Sequence, residues 1–344
     1  MKKILTALIT PFDENGNVDD TALICLVKDQ IKKGVDGFVI CGTTGEAATL
    51  SKQERLHVLD TVIECNQGRV ELWYGCGTNN TQTTIEALKE VEEKAIQGVL
   101  LVVPYYNRPN QAGLCQHFEK AAHSTKHAVM LYNVPKRCGV GLELKSICYL
   151  IEHCANIKAL KHASCDLTLI KELHAIYPSF QVYSGEDSLV KEGIACGMCG
   201  IVSVMSHIIL PNMRELLMGK EAAGTICKEC AALCFCDASP APVKYMLYRK
   251  GFCTPKVRLP LVEIDAEKQR FIDQWLQKND NNEKGDMMRV KVFQEEDEDD
   301  LSEVINTFLQ EHADIRVCDI KLSTDILEDE EDTLTLFTVL LIYL

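Results

Sequence analysis

A closed (β/α)8 barrel, carrying a C-terminal helical extension and followed by a small α+β tail, is the fold this sequence predicts. Three observations lead there. Between residue 3 and about 205, eight short apolar runs alternate with longer amphipathic stretches. The runs are almost continuously apolar, as strands covered on both faces must be. Each intervening stretch is long enough for the helical crossover that parallel strands require.

The runs, in order, are "ILTALIT", "GFVI", "VELWYG", "GVLLVV", "AVMLYN", "IKALK", "FQVYSG" and "GIVSV". Eight such units favour closure over an open sheet. The main rival, an open doubly wound sheet, calls for G-x-G-x-x-G or G-x-x-x-x-G-K-[ST] after a strand, and "GCGTNNT" after the third run lacks the third glycine. The first run follows two lysines, but Pro11 and Asp13 come next with no small-residue cleavage site. It therefore reads as a strand and not as a signal peptide. Helices are predicted over 20–33, 51–65 and 81–95, several opened by a Ser, Thr or Asp cap, and Ser51-x-x-Glu54 has the form of a capping box.

After residue 205 the pattern turns helical, with "ILPNMRELLMG", "EAAGTICKECAALCF", "APVKYMLYRKG" and "AEKQRFIDQWLQK". The predicted organisation is a catalytic barrel over 1–210, a helical extension over 211–278, a polar linker over 279–286 ("NDNNEKGD") and a tail domain over 287–344. The tail reads as a strand "MRVKVF", an acidic entry "EEDEDD", a helix "LSEVINTFLQEH", a strand "IRVCDIKLST", an acidic turn "EDEED" and a last strand "TLTLFTVLLIYL". That is a small acidic β-α-β-β unit. In pattern it resembles a family of small sporulation-associated proteins, and Met287-Met288 looks like a former start region. The simpler reading is a solvated charged appendage and not a dedicated regulatory module.

Charge separates the two parts. The 344 residues carry a formal net charge of -14, but residues 1–283 hold 31 basic and 33 acidic side chains against 5 and 17 in 284–344. A near-neutral body without a basic stripe argues against a nucleic-acid partner and for small-molecule chemistry. The terminal run "LTLFTVLLIYL" is too short to span a bilayer, so no membrane role is expected. Seventeen cysteines without a signal peptide predict reduced thiols and a cytoplasmic protein. Cys196-x-x-Cys199 and Cys227-x-x-Cys230 have zinc-ribbon spacing, yet Cys227, Cys230 and Cys234 share one helical face, so they read as small core residues and no metal is predicted. His123 and His127 lack a third ligand nearby and read as belonging to a helix end.

In a barrel of this kind the functional groups stand at the carboxyl ends of the strands. There the sequence places "CGTTGE", "PYYNRP", "LYNVPKRCG", "LKHAS" and "SGED". Lys161 ends the sixth run, where a lysine loses solvation and favours its neutral, nucleophilic form. A neutral amine condenses with a ketone, and the protonated Schiff base then stabilises a carbanion on the neighbouring carbon. Taken alone, Lys161 reads rather as a lysine entering a solvated loop, since strand-end lysines are common. Its company weighs against that: Tyr132 offers a phenol for proton transfer, Thr43 and Thr44 offer hydroxyls beside Gly42 and Gly45, and Arg137 offers a fork for a carboxylate. Each of these alone is weak, since a tyrosine is often a core residue with a satisfied hydroxyl and a Gly-Thr run is often just a turn.

"GTTGE" (42–46), "PYYNRP" (104–109), "LYNVPKRCG" (131–139), the strand-six lysine and "SGED" (184–187) closely resemble the dihydrodipicolinate synthase family, in order and spacing, over residues 1 to about 280. The resemblance implies a class I aldolase-type lyase of the lysine and diaminopimelate pathway, in which pyruvate forms a Schiff base and its enamine attacks L-aspartate 4-semialdehyde. It implies Lys161 as the Schiff-base residue, Tyr132 as the proton-transfer phenol, and Thr43 with Tyr106 as a hydroxyl relay, Tyr106 reaching into a neighbouring subunit. Thr44 would hold the pyruvate carboxylate, Arg137 that of the semialdehyde, and Gly185 and Val202 would shape the pocket through their backbone. No cofactor or metal is implied, and the assembly implied is a homotetramer, a dimer of dimers.

Two departures stand out. His162 follows the lysine where the family has glutamate. At the family's lysine-inhibition site, Asn79 and Tyr105 match, but Lys52, Arg55 and Thr83 stand where histidine and glutamate side chains hold the inhibitor. Added cations and a lost carboxylate predict weak or absent lysine inhibition. The rival readings are another pyruvate-dependent Schiff-base lyase, such as N-acetylneuraminate lyase or a keto-deoxy sugar-acid aldolase, and a non-catalytic keto-acid-binding relative. Arg137 argues against the first and the retained proton relay against the second.

Overall fold

The structure, a computed structural model, describes residues 2–280, 289–295, 297–311, 317–328 and 333–343. All eight predicted strands form: β1 (Lys3–Ala7), β2 (Gly37–Ile40), β3 (Glu71–Gly75), β4 (Gly98–Val102), β5 (Ala128–Asn133), β6 (Ile157–His162), β7 (Gln181–Ser184) and β8 (Gly200–Ser203). They pair in parallel in chain order, and β8 pairs back to β1, with Lys3 opposite Gly200, to close the barrel. Their side chains are almost all buried, which accounts for the unbroken apolar runs.

The helices that cover the barrel are α1 (Asp20–Lys32), α2 (Lys52–Asn66), α3 (Thr81–Glu90), α4 (Gln111–Ala122), the short α5 (Pro135–Cys138) and α6 (Leu144–His153), α7 (Thr168–Ile176), α8 (Val190–Ala195) and α9 (Ser206–Leu217). The capping box at Ser51 forms, with both reciprocal bonds to Glu54. Helix α3 stops at Glu90 and not at Ala95. The Glu92 carboxylate accepts bonds from Thr125 Oγ1 (2.7 Å) and the Lys126 amide (2.8 Å), which draws 91–96 out of helical geometry toward the entry of β5. His123 caps α4, whereas His127 lies buried near Val91 O at 3.0 Å.

The extension supplies α10 (Ala223–Cys234), α11 (Ala241–Arg249) and α12 (Ala266–Asp280). Cys227, Cys230 and Cys234 are buried along α10, as the small core residues their spacing suggested. Helix α12 takes in Asn279 and Asp280, the first two residues of the polar segment, because Asn279 Nδ2 donates to Trp275 O at 2.8 Å. The remainder of that segment, 281–286, lies outside the described residues.

Contacts group the chain into two compact units, Met1–Tyr248 with Cys253–Ile272, and Arg249–Phe252 with Asp273–Leu344. In the second, β9 (Arg289–Glu295), α13 (Glu298–Glu311), β10 (Val317–Glu328) and β11 (Thr333–Tyr343) give the predicted β-α-β-β order, as an antiparallel sheet β10-β11-β9. Its core joins Phe293, Leu301, Val339 and Leu341. Part of the acidic entry is helical: Asp297 Oδ1 accepts from the Asp299 amide at 2.7 Å, and Glu298 to Asp300 form the first turn of α13, where negative charge favours a helix start. The acidic turn at 329–332 lies outside the described residues.

Two buried polar anchors fix the mouth of the barrel. Lys244 of α11, with no exposed side-chain surface, places Nζ 2.5 Å from Glu46 Oε1 and donates to Lys256 O at 2.8 Å. Burial pushes the Lys244 ammonium down and Glu46 opposes that. Removing one partner of such a pair strands a buried charge, at a cost of about 3–5 kcal/mol. The second anchor is His207. The Ile9 amide donates to its Nε2 (3.2 Å), which leaves Nδ1 as the donor to Val204 O (2.8 Å), so the ring is neutral with its proton on Nδ1.

Burial pushes the His207 imidazole down from 6.5 to about 4. As pH falls below 6.5 the unfolded chain takes up this proton first, so the contribution is intact above 6.5 and is lost progressively toward about 4. A loss on the order of 3 kcal/mol from this group is expected over that window. Urea unfolding across it checks the expectation: His207→Asn should flatten the pH dependence by about one proton, and an unchanged slope would contradict it.

Candidate active site

Strand register assembles the centre. Tyr132 on β5 lies opposite Lys161 on β6, which in turn lies opposite Tyr183 on β7. Side chains two apart share a face, so Lys161 and Ala159 point one way and His162 the other. Lys161 is 7% exposed, and its Nζ stands 4.3 Å from the centre of the Tyr132 ring. The amine and the phenol that the sequence singled out are thus adjacent inside the barrel mouth.

A cavity of about 580 Å3 opens over them, lined among others by Thr43, Thr44, Arg137, Gly185 and Val202. A second, of about 570 Å3, shares Thr43, Tyr132, Val134, Arg137 and Ser239 with it and extends past Arg55, Thr78 and Tyr105. The threonines sit in a tight turn in which the Glu46 amide donates to Thr43 O (3.1 Å) and Thr10 Oγ1 donates to Gly45 O (2.8 Å). A Cβ on Gly45 would approach Leu8 O to 3.0 Å, so the close passage of this turn over β1 explains the second glycine of "GTTGE". The end of β8 is held by Asp187, whose Oδ2 accepts from the amides of Val204 (2.8 Å) and Met205 (2.9 Å). That fixes Val202 at the cavity wall.

Arg137 is carried by α5, positioned by Pro135 at its start, the left-handed Gly139 at its end and Cys138 Sγ donating to Val103 O at 3.1 Å. Arg108 of the "PYYNRP" loop donates to Gly139 O at 3.1 Å and ties the two loops together. His162 now has a role. Its Nε2 lies 3.0 Å from Asp166 O, so the neutral ring donates to that carbonyl and pins the loop after β6, which a glutamate carboxylate could not do. Its Nδ1 is buried without a partner, and burial holds the imidazole below its ordinary range.

Other predicted residues are not brought together within one chain. Tyr106 is 90% exposed and lines neither cavity, so no Thr43–Tyr106 relay closes in a single copy. Of the five residues at the supposed inhibition site, Arg55 and Tyr105 line the second cavity, and Asn79 Nδ2 donates to Tyr105 O at 3.2 Å. Lys52 pairs with Glu90 at 2.6 Å and Thr83 belongs to the capped start of α3. The sequence reading missed Lys136, Glu186, Lys228 and Phe235 as lining residues. Lys136 and Glu186 lie inside motifs already quoted. Lys228 comes from α10 and Phe235 from its C-cap, and that segment has no signal beyond an amphipathic pattern.

A buried, strand-borne amine beside a phenol, at the mouth of a closed barrel, is the arrangement of a class I aldolase-type lyase. Comparison narrows the class: the model of the Dihydrodipicolinate synthetase family matches residues 1–279, and the chain belongs to that family. A 4-hydroxy-tetrahydrodipicolinate synthase 1 of Halalkalibacterium halodurans is 42% identical over 280 residues, covering 79% of this chain and 95% of its own length. The crystal structure of a dihydrodipicolinate synthase from Bacillus anthracis superposes with a TM-score of 0.78 at 36% identity, over 80% of this chain and 97% of that one. The enzyme from Acinetobacter baumannii, solved complexed with pyruvate, gives 0.76 at 33% identity over 80% and 98%. The model of Sporulation protein Cse60 matches residues 287–344, the tail that resembled such proteins in pattern.

Gly185 provides a direct test of the site. A Cβ there would stand 2.8 Å from Ala163 Cβ and 3.1 Å from Lys161 Cε. Gly185→Ala must displace the lysine stem, and a misplaced nucleophile is expected to lower kcat on the order of 100-fold with the fold retained. Circular dichroism with steady-state rates checks this; an unimpaired variant would contradict the packing.

Proposed function

We propose that this chain acts as a 4-hydroxy-tetrahydrodipicolinate synthase that condenses pyruvate with L-aspartate 4-semialdehyde on Lys161. The observation that carries the reading is the register pairing of Lys161 with Tyr132 under a polar cavity. The neutral amine adds to the pyruvate ketone, and the carbinolamine loses water to give an iminium. Loss of a methyl proton yields the enamine, whose carbon attacks the aldehyde. Tyr132 moves the protons of carbinolamine formation and collapse. Thr44 holds the pyruvate carboxylate and Arg137 that of the semialdehyde, both from the cavity wall, while Gly185 and Val202 keep that wall close. The lysine itself supplies the electron sink, so the reading includes no cofactor. Free thiols at the sixteen cysteines whose side chains are described support a cytoplasmic setting, and among the described residues no helix is long and apolar enough to cross a membrane.

Pyruvate consumption with L-aspartate 4-semialdehyde and with sugar aldehydes tests the substrate. Turnover with the semialdehyde in clear excess over any sugar is expected, and the reverse preference would favour the sugar-acid aldolase reading. Lysine regulation is read as weak or absent: Lys52 is already paired, and Arg55 brings a cation to the cavity that Tyr105 also lines. In the same assay millimolar lysine should leave the rate unchanged, and half-inhibition would overturn this.

Tyr106 is read as the relay member that a neighbouring copy receives, in a dimer of dimers. A bulky residue at φ 72°, held out by Asn107 Nδ2 donating to Asn79 O at 2.9 Å, is strained unless the strain serves a contact. Sedimentation is expected to give a dimer or larger, and Tyr106→Phe to slow turnover without releasing monomers. A fully active monomer would contradict it.

A further inference from the structure

The cavity over Lys161 holds a carboxylate that the reaction chemistry so far leaves unused. Two acidic residues line it, Glu186 and Asp187. Asp187 is buried and spends Oδ2 on the Val204 and Met205 amides, while its Oδ1 is enclosed without a hydrogen-bond partner among the described residues. The acidic residue that lines the adjoining cavity, Glu46, is paired with Lys244. Glu186 differs from both. It is half-buried, and its backbone is fixed by its amide donating to Ser184 Oγ (3.2 Å) and by Ser184 Oγ donating back to its carbonyl (3.1 Å). Among the described residues its carboxylate accepts no hydrogen bond and forms no ion pair.

The surroundings of that carboxylate are cationic but lack a close partner. Burial, and repulsion from Asp187, raise the Glu186 carboxyl above its ordinary range, and the charges of Lys136, Lys161 and Arg137 only partly offset this. A carboxylate held in this way gains from any further cation that enters the cavity. Arg137, close enough to act on it electrostatically, faces the same space. An acid and a guanidinium lining one small cavity match a ligand that carries a negative and a positive group on a single carbon, which is the head group of an α-amino acid.

We propose that Glu186 binds the α-ammonium of the acceptor aldehyde while Arg137 takes its α-carboxylate, so that the pair selects an α-amino acid aldehyde. This rests on the reading of the chain as a pyruvate-dependent lyase with Lys161 as nucleophile. It assigns acceptor specificity to a residue of the β7–β8 connection and gives a physical reason for preferring the semialdehyde over a sugar aldehyde, which brings hydroxyls but no cation. Glu186 is a binding and not a bond-making group: no covalent step passes through it.

The test compares two four-carbon aldehydes that differ only in the ammonium group. L-Aspartate 4-semialdehyde serves as substrate, and 4-oxobutanoate, which lacks the α-amino group, as competitive inhibitor. In Glu186→Gln the KM for the semialdehyde should rise at least about tenfold, the scale of one charged hydrogen bond, while the inhibition constant of 4-oxobutanoate holds or falls. Equal rises for both ligands would reduce Glu186 to a structural role and overturn the proposal, as would no change in either. Glu186→Asp, which keeps the charge but shortens the reach, should fall between wild type and Gln in the ratio of the two constants. If the Gln variant fails to fold, a wild-type ratio in the Asp variant overturns the proposal. Exchange of pyruvate methyl protons into D2O by the wild type, without any acceptor, reports the enamine separately. Its absence would sink the lyase reading itself, and its presence with unchanged Glu186 ratios would sink only this inference.

Discussion

Closure of the barrel in one register is the constraint on which the rest of the site depends. With β8 paired to β1, no strand of the barrel has a free edge along which to slide. Tyr132 is therefore held level with Lys161, and a one-residue slip of β6 would send Lys161 outward and bring His162 in. The reactive amine needs no dedicated clamp, because the sheet hydrogen bonds locate its Cα and the neighbours set the path of its stem. Chief among these neighbours is the small Gly185. The chemistry thus rests on rigid strands, and adaptable groups are confined to the loops above them.

Those loops are not loosely attached. The turn bearing Thr43 and Thr44 is anchored from below by Thr10 and from the side by the Glu46–Lys244 pair. Lys244 comes from the helical extension, about two hundred residues along the chain, so the extension is part of the machinery that fixes the mouth. Asp187 similarly connects the end of β7 to that of β8. In both cases a buried carboxylate is held by close partners, and the half-buried carboxylate of Glu186, with no such partner among the described residues, stands apart.

Much of this was legible in the sequence, and the reasons are physical. Strand-end residues are polar immediately after an apolar run, so Thr43, Tyr132, Lys161 and Gly185 announced their place through local pattern. Helix α3 ran shorter than its periodicity predicted because Glu92 found partners at Thr125 and Lys126, 33 and 34 residues away. The lining role of Lys228, the burial of Lys244 and the carbonyl partner of His162 were likewise invisible. Each depends on which segments the closed barrel brings together, and a lysine within "APVKYMLYRKG" or "TICKECAALC" looks no different from one facing solvent. Tyr106 marks the opposite limit: its role was implied by motif, and within one chain it reaches nothing in either cavity.

The central claim is that Lys161 is the nucleophile. Borohydride reduction in the presence of pyruvate, followed by peptide mass mapping, tests it most directly. The account predicts a single reduced pyruvate adduct, located on Lys161 and absent from Lys161→Ala. A chain left unmodified, or an adduct on another lysine, would contradict it.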